Sequence, residues 1–548
     1  MKYFPVLLLS AISFVLSVAP CSGQDSGLRE RLLGIPAHIS PLAPLPAPQG
    51  FQDHIVDGKL VLSLDDAIRL ALDNNTDIHV DQSSVDFAQN NLHRQFQPFD
   101  PIASASFIDQ RIKTQTSSQL QGATVLNSLS QTTQFGYVQT LPTGTNFQTF
   151  FGNLKASTNS SFATLNPSFN TSWSFQITQP LLKNFGVFAN RAPIYIAQRN
   201  LRQSQATFQG EVNDVLLSVI SQYWNVVLAR ENLKVQSKSY EEAQKSYEHD
   251  KKALSLGALP PLDIYRSESE VAARRLILIQ AEYSLKQAED QFRQVISADR
   301  DPVVNALDLN LTEQPGPPDT LLEIDIASAL SQALANRPEL EASAQQLAAD
   351  ALNLRLAHNN LRPDLELAGF YSPTGLGGNA YDTSTVPPML LSTGGLGDSL
   401  NQLFGFKYPT YSASLTLTLP IKNHGAEANL ADVLVGQRND QYLRVRTMQS
   451  ITLEVTNAVH LLEQAKLTLE AAKISEDLAR KNLQAEERKY QLGGTTIFFV
   501  LDAQTQLATA ELAMAQAQTS YQTAVAAVDH ATGKLLEHHQ VQLLPAHK

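Results

Sequence analysis

Residues 448–494 read MQSITLEVTNAVHLLEQAKLTLEAAKISEDLARKNLQAEERKYQLGG, and the spacing within this run decides the fold. Met448, Val455, Leu462, Leu469, Glu476, Leu483 and Tyr490 recur every seven residues, with Ile451, Ala458, Ala465, Ala472 and Ala479 three places on. A seven-residue repeat held this long specifies coiled-coil packing, and Ala in the second column lets neighbouring helices come close. The same seam stands 236 positions earlier, at Val212, Val219, Val226, Leu233, Tyr240, Tyr247 and Leu254, with Val215, Gln222, Ala229, Gln236 and Ala243 three places on. Each run stops at a glycine, Gly257 or Gly493, and a helical pattern then resumes in LSLGALPPLDIYRSESE and YQLGGTTIFFVLDAQTQ. Gly ends one helix and, in the first tip, Pro260 and Pro261 suit the start of the next, so each run is one arm of a helical hairpin.

The duplication reaches further. Leu64, Ala67, Ala71, Leu72 and Asn74 in LDDAIRLALDNN match Ile326, Ala329, Ala333, Leu334 and Asn336 in IDIASALSQALANR, all 262 positions apart. PLLKNFG (Pro180 to Gly186) answers PIKNHG (Pro420 to Gly425). Pro cannot donate to a sheet ladder and Gly lets the backbone turn, so these residues mark where strand gives way to helix.

Helix lengths then describe a wall. At 1.5 Å per residue, Pro193 to Leu256 and Ala426 to Leu492 span about 96 and 100 Å. The returning helices, Pro260 to Asp299 and Thr495 to Glu537, reach only about 60 and 65 Å. The opening helices, Leu64 to Gln97 and Ile326 to Leu361, supply the missing length. Two short helices end to end match one long helix, and all tracks finish where strands begin.

Strand candidates in the second half are Asp364 to Tyr371 and Tyr411 to Leu419, separated by a loop rich in Gly, Pro and Ser. Tyr411, Ala413, Leu415, Leu417 and Leu419 alternate with Ser412, Ser414, Thr416 and Thr418, the pattern of a barrel strand with lipid outside and water inside, and one that a half-buried sheet of a soluble protein shows too. In the first half the candidates are Ile102 to Ile112, Gln134 to Leu141, Thr145 to Phe151 and Ser172 to Thr178, with LPTG (Leu141 to Gly144) as a turn. Aromatics crowd both regions, as girdles at a bilayer interface would. Four strands per chain is the expected spanning set, too few to close a channel alone, and open edges cannot face lipid. Several copies are therefore expected to share one barrel. The fold class expected is mainly α with β: duplicated helical hairpins forming an α-barrel, and strands contributing to a shared transmembrane β-barrel.

The chain of 548 residues is 43% hydrophobic and 17% charged, too polar for a helical membrane protein. Lys2 precedes an apolar run from Val6 to Ala19, right for a signal-peptide core and too short for a membrane helix. Cys21 is the single cysteine and excludes an intramolecular disulfide. It stands where a lipoprotein would be acylated, although Pro20 suits such a cleavage site poorly, and ordinary cleavage near Gly23 is the alternative. A net charge of -12 without a Lys/Arg cluster speaks against nucleic acid. No zinc-protease helix, phosphate-binding glycine loop or cysteine nucleophile of the mature chain is present, so no enzyme, cofactor or metal site is expected. His538, His539 and His547 are read as a solvated tail. The expected divisions are a signal peptide (1–23), a Pro-rich extended segment (24–58), two structural repeats (59–320 and 321–537) and a C-terminal tail (538–548).

LSLDDAIRLALDNN, ALANRPEL and YQLGGTTIFFVLDAQTQLATAEL together resemble the TolC-like outer-membrane efflux proteins, and the likeness covers nearly the whole chain after Leu60. The resemblance implies a homotrimer in outer-membrane lipid, four strands per protomer in one barrel, and a helical tunnel crossing the periplasm. It also implies docking, tip first, onto a periplasmic adaptor that connects to an inner-membrane transporter. Many members narrow the tip with carboxylates. Asp502 falls at such a position, while Phe499 stands where a second carboxylate is often found. Their repeat partners are Arg266 and Asp263, and Arg266 is the candidate to hold Asp502 in a closed state. The first strand region is longer than a two-strand pattern needs, which leaves room for a supplementary hairpin at the rim or near the membrane. The rival reading is a periplasmic coiled-coil adaptor or scaffold without a channel, which should show one hairpin inserted into small β domains rather than two hairpins after strand pairs.

Overall fold

The computed structural model describes residues 45–116, 122–256, 262–314, 316, 321–385, 387–492 and 494–541. The expected signal peptide, Cys21, most of the Pro-rich segment, Gly257, Pro260, Pro261, Gly493 and His547 lie outside them. Residues 1–48 form a separate unit, of which 45–48 are coil; everything below concerns the unit from Gln49 onward.

Short strands β1 (Ile55–Val56) and β2 (Lys59–Leu62) lead into helix α1 (Leu64–Asn74). Ser63 caps α1 by accepting from the Asp66 amide, and the Asp66 carboxylate accepts from Ser63 in return, so two orphan amides are satisfied at once. Helix α2 (Thr76–Arg94) follows after a break at Asn75. Four long antiparallel strands come next: β3 (Ile102–Gln115), β4 (Val125–Thr140), β5 (Asn146–Thr158) and β6 (Leu165–Pro180). Helices α3 (Gly186–Ser255) and α4 (Asp263–Val295) form the first hairpin, and α5 (Pro302–Asn305) and strand β7 (Asp308–Leu311) close the first half.

The second half repeats this plan with α6 (Ile326–Asn336), α7 (Pro338–Asn360) and β8 (Asp364–Asp382). It continues through β9 (Met389–Ser392), α8 (Leu396–Phe404), β10 (Tyr408–Thr418) and the second hairpin, α9 (His424–Gln491) and α10 (Ile497–Ala531). A last turn, α11 (Leu535–His538), packs back on the fold. β2 pairs in parallel with β7 and antiparallel with β1, making a small sheet beside α3 that no periodicity in the sequence announced.

The heptad seams are buried over part of their length, while Met448 at the start of the second stays exposed. Val212, Val219 and Val226 sit in one core with Phe292 of α4 and Leu60 of β2, while Val455, Leu462 and Leu469 sit in another with Met514 and Tyr521 of α10. Contacts order the wall. Toward the tips α4, α3, α10 and α9 lie side by side; toward the sheet α2, α3, α7 and α9 do. Two pairs of short helices thus share the tracks flanking α3, and α3 itself runs 70 residues, about 105 Å. It begins at Gly186 rather than Pro193, which lies inside the helix near its start. The opening helix of each half is two helices, not one, because Asn75 and Arg337 adopt extended backbone between them.

The sheet departs from the expected four strands. Its order is β10-β8-β6-β5-β4-β3, all antiparallel, with β9 beside β8. β3 and β4 pair along their whole length and belong to the same sheet as the other four. β8 runs on through 375–382, a stretch whose glycines read as loop. A side chain at Gly375 would strike the Ser399 carbonyl of α8, which lies directly across this strand. The predicted strand-to-helix marks fall at the joints: Pro180 ends β6, Gly186 opens α3 at φ 86, Pro420 follows β10, and Gly425 lies in the first turn of α9.

Candidate functional site

Strand register assigns every side chain of the sheet to one of two faces. Phe135 of β4 stands opposite Phe151 of β5, which stands opposite Trp173 of β6. Phe175 pairs with Tyr371 of β8, which pairs with Tyr411 of β10; Leu367 and Leu365 then meet Leu415 and Leu417. On β3 the same face carries Ala103, Ala105 and Phe107. An unbroken apolar and aromatic band therefore crosses all six long strands. The opposite face carries Ser104, Ser106, Thr132, Gln134, Gln148, Ser172, Ser174, Gln176, Ser412, Ser414 and Thr416, interrupted by Ile108, Val138, Phe150, Leu154 and Phe370. A concavity of about 920 Å³ lies against this polar face, lined by residues including Thr132, Gln134, Ser172 and Ser174. Apolar outside and polar inside is what a barrel in lipid around water demands.

At the other end, the hairpin tips expose Leu256 (83%) and Leu492 (82%), which are repeat partners. Phe499 is half exposed (52%) and meets Phe498 edge-on at 5.3 Å. The Arg266 guanidinium lies 5.4 Å from the Phe498 ring centre, so within one chain it packs on an aromatic face and not against Asp502. Asp502 instead accepts a hydrogen bond from Gln506 one turn on, at 2.8 Å. The Asp263 backbone starts α4. Further ties join the two hairpins behind the tip: Arg274 of α4, held by Glu270 at 2.7 Å, donates to Thr505 of α10, and Lys238 of α3 reaches Glu511 of α10 at 3.3 Å. Asp250 of α3, wholly buried, accepts from the Ser267 hydroxyl of α4 and staples the first hairpin to itself.

Between tip and sheet lies a charged joint. Arg337, at the break between α6 and α7, donates to Glu454 of α9 at 2.9 and 3.0 Å, to Glu339 at 2.8 and 3.0 Å, and to the His530 carbonyl of α10 at 3.2 Å. Its side chain is 7% exposed. His530, 9% exposed, bridges Asp214 of α3 at 2.7 Å and Glu454 at 3.1 Å. The first repeat has a neutral version: Asn75, 262 positions before Arg337, donates to the Val295 carbonyl at the end of α4 at 2.7 Å. In both halves a side chain at the helix break ties the opening helix to the end of the returning helix on its own track.

Burial opposes the charged imidazole of His530, yet its bonds to Asp214 and Glu454 outweigh it and hold the pKa up to about 9. Burial likewise opposes ionised Glu454, and His530 and Arg337 outweigh it to hold its pKa down to about 2. The raised His530 stabilises in full below its ordinary 6.5 and loses that contribution as pH climbs through 9. The lowered Glu454 stabilises above its ordinary 4.5 and loses that contribution as pH falls through 2. The joint should be strongest between these ordinary values, and stability from pH 7 to 9.5 should fall more steeply in the wild type than in His530→Gln. Thermal unfolding in detergent across that range checks this; parallel slopes would mean His530 is neutral.

Two stretches, residues 149–298 and 329–534, together more than half the chain, match the family model described as outer membrane efflux protein. The chain belongs to the outer membrane efflux protein family. It is an outer-membrane protein whose helical tunnel stands in the periplasm, and the family and its structural neighbours are channels, not enzymes. Among solved structures, the outer-membrane channel OprN is similar at a TM-score of 0.60 and 15% identity, over 86% of this chain and 90% of OprN. The Campylobacter jejuni CmeC outer membrane channel is similar at 0.59 and 16%, over 90% and 94%. The Neisseria gonorrhoeae MtrE outer membrane channel, solved in its open state, is similar at 0.57 and 17%, over 90% and 98%. At these identities the likeness is one of fold. No curated protein matches. The family match begins inside β5, after the β3–β4 hairpin.

Sequence reasoning missed the joint. Glu454, His530 and Asp214 come from three helices with no shared motif; the one signal that could have led to it is that the 262-position offset matching Asn74 to Asn336 also sets Asn75 against Arg337. The tail also differs from expectation: His538 and His539 stack at 5.2 Å, bonded to Asp529 and Asp65, rather than standing free in solvent.

Proposed function

We propose that three copies of this chain form one efflux channel, which exports solutes from the periplasm to the exterior as the outer-membrane component of a tripartite pump or type I secretion system. The observation that carries this reading is a wall with two unfinished edges. At the helical level these edges are α2 and α4 on one side and α9 on the other, and both expose apolar side chains: Val80, Phe87, Leu276 and Tyr283 against Leu434, Val435 and Tyr442. At the sheet level they are β3, which follows α2, and β10, which precedes α9. Each side of one copy thus presents a surface that the other side of the next can cover, the head-to-tail contact that generates a ring. The number three is the one that the family resemblance implies.

In this reading the exposed Leu256 and Leu492 meet a periplasmic adaptor joined to an inner-membrane transporter. Symmetry would gather three copies of Asp502 and Phe499 at the tip, the first a ring that favours cations and the second an apolar constriction that water crosses poorly. Extraction tests the assembly. The protein should leave the membrane only with detergent, and light scattering corrected for detergent should give three times the mature chain mass. A monodisperse monomer in buffer without detergent would defeat the proposal.

A further inference from the structure

We infer that β3 is the strand by which each copy joins the next, so that the trimer closes an eighteen-stranded barrel, six strands from each of three chains, instead of the twelve that four strands per chain would make. The inference rests on the trimer proposed above and adds the identity of the joining strands and the bore of the membrane segment.

Three observations place the β3–β4 hairpin in the barrel wall and not on its rim. First, β3 and β4 are 14 and 16 residues long, where ~9–11 suffice to cross a bilayer. Second, the turn after β4 lies at the helical end of the sheet: the Gly186 amide, at the start of α3, donates to the Thr143 carbonyl at 3.2 Å. β4 therefore descends the full height of the sheet, and β5 climbs it again. Third, the apolar band continues in register across Phe135 and Tyr137 of β4 onto Ala103, Ala105 and Phe107 of β3. A hairpin lying outside the wall would have no need to keep this alternation.

Direction and size agree. Starting with β3 away from the helices, the six strands alternate and end with β10 returning, so β10 of one copy meets β3 of the next antiparallel. At ~4.8 Å between strands and a tilt of ~40°, eighteen strands make a circumference of about 110 Å and twelve about 75 Å. Four helical tracks from each of three copies, at ~9 Å spacing, also make about 110 Å. Eighteen strands therefore continue the helical tunnel without a step in width, and the size limit on cargo falls at the periplasmic tip and not in the membrane.

Disulfide mapping in the intact outer membrane tests this. Single cysteines at the lumen-facing positions 104, 106 and 108 of β3 are combined with cysteines at 412, 414 and 416 of β10, and separately 148, 150 and 152 of β5 are combined with the same three. After copper–phenanthroline oxidation, at least one β3–β10 combination such as Ser106→Cys with Ser414→Cys should yield a covalent ladder ending at the trimer, while the β5–β10 combinations stay monomeric. Bridging of β5 to β10 without β3, or no bridging of β3 to β10 in any combination while trimers are recovered, would overturn the inference. A β3–β10 ladder that ends at two chains would instead uphold the joining strands and defeat both the count of eighteen and the trimer.

Discussion

Arg337→Met should destabilise the folded protein by about 2 kcal/mol, because it leaves the Glu454 and Glu339 carboxylates facing a side chain that cannot donate. Hydrogen bonds to charged groups contribute ~1.5–3 kcal/mol, and the lower part of that range applies here because Glu454 and Glu339 are 37% and 38% exposed, open to water once the guanidinium is gone, and His530 stays beside Glu454. Arg337→Lys should recover only part of the loss, since an ammonium cannot make the paired bonds that the guanidinium makes to Glu454. Denaturant unfolding of the detergent-solubilised protein, followed by helical signal, measures this. A loss below ~1 kcal/mol would place the joint among weak surface pairs and remove it from the account of what holds α6, α7, α9 and α10 together.

Leu415→Arg should cost ~2–4 kcal/mol and sharply lower the amount of folded protein in the outer membrane, since a charge on the lipid face near mid-bilayer is penalised by that much. Ser414→Arg, one residue away and on the polar face, should be recovered at close to the wild-type level and change conductance instead. The pair isolates the facing of β10 from any general sensitivity of the strand, because the two positions share backbone environment and differ only in side. Equal loss at both positions, read by heat-modifiable migration of membrane fractions, would contradict the assignment of lipid and lumen.

The helical half of the molecule was legible because its signal is redundant. A coiled-coil seam repeats for many turns, so Glu476 among the apolar positions does not hide it, and the 236-residue offset let each hairpin corroborate the other. The sheet was less legible. β10 alternates cleanly, but on β4 both faces carry Thr and Gln around residues 131–134, and β3 ends in Asp109, Arg111 and Lys113 on its lipid side, above the apolar band. Neither strand announces itself as spanning, and only continuous pairing shows them as members of one sheet. Gly375 to Gly378 suggested a loop because glycine weakens strands in general, whereas here it clears space for α8. At the tip, the alignment of Arg266 with Asp502 by repeat gave an attractive pair, yet repeat partners occupy equivalent places in different hairpins and need not touch. In one chain they do not.

The proposed trimer encloses an aqueous conduit through the membrane that narrows at the periplasmic tip, and single-channel recording in planar bilayers tests this most directly. Wild-type trimers should show a low conductance that prefers cations and is blocked by multivalent cations from the tip side. Phe499→Ala should raise that conductance, and Asp502→Ala should weaken both the cation preference and the block. No channel activity from folded trimers, or identical conductance, selectivity and block in all three proteins, would contradict it.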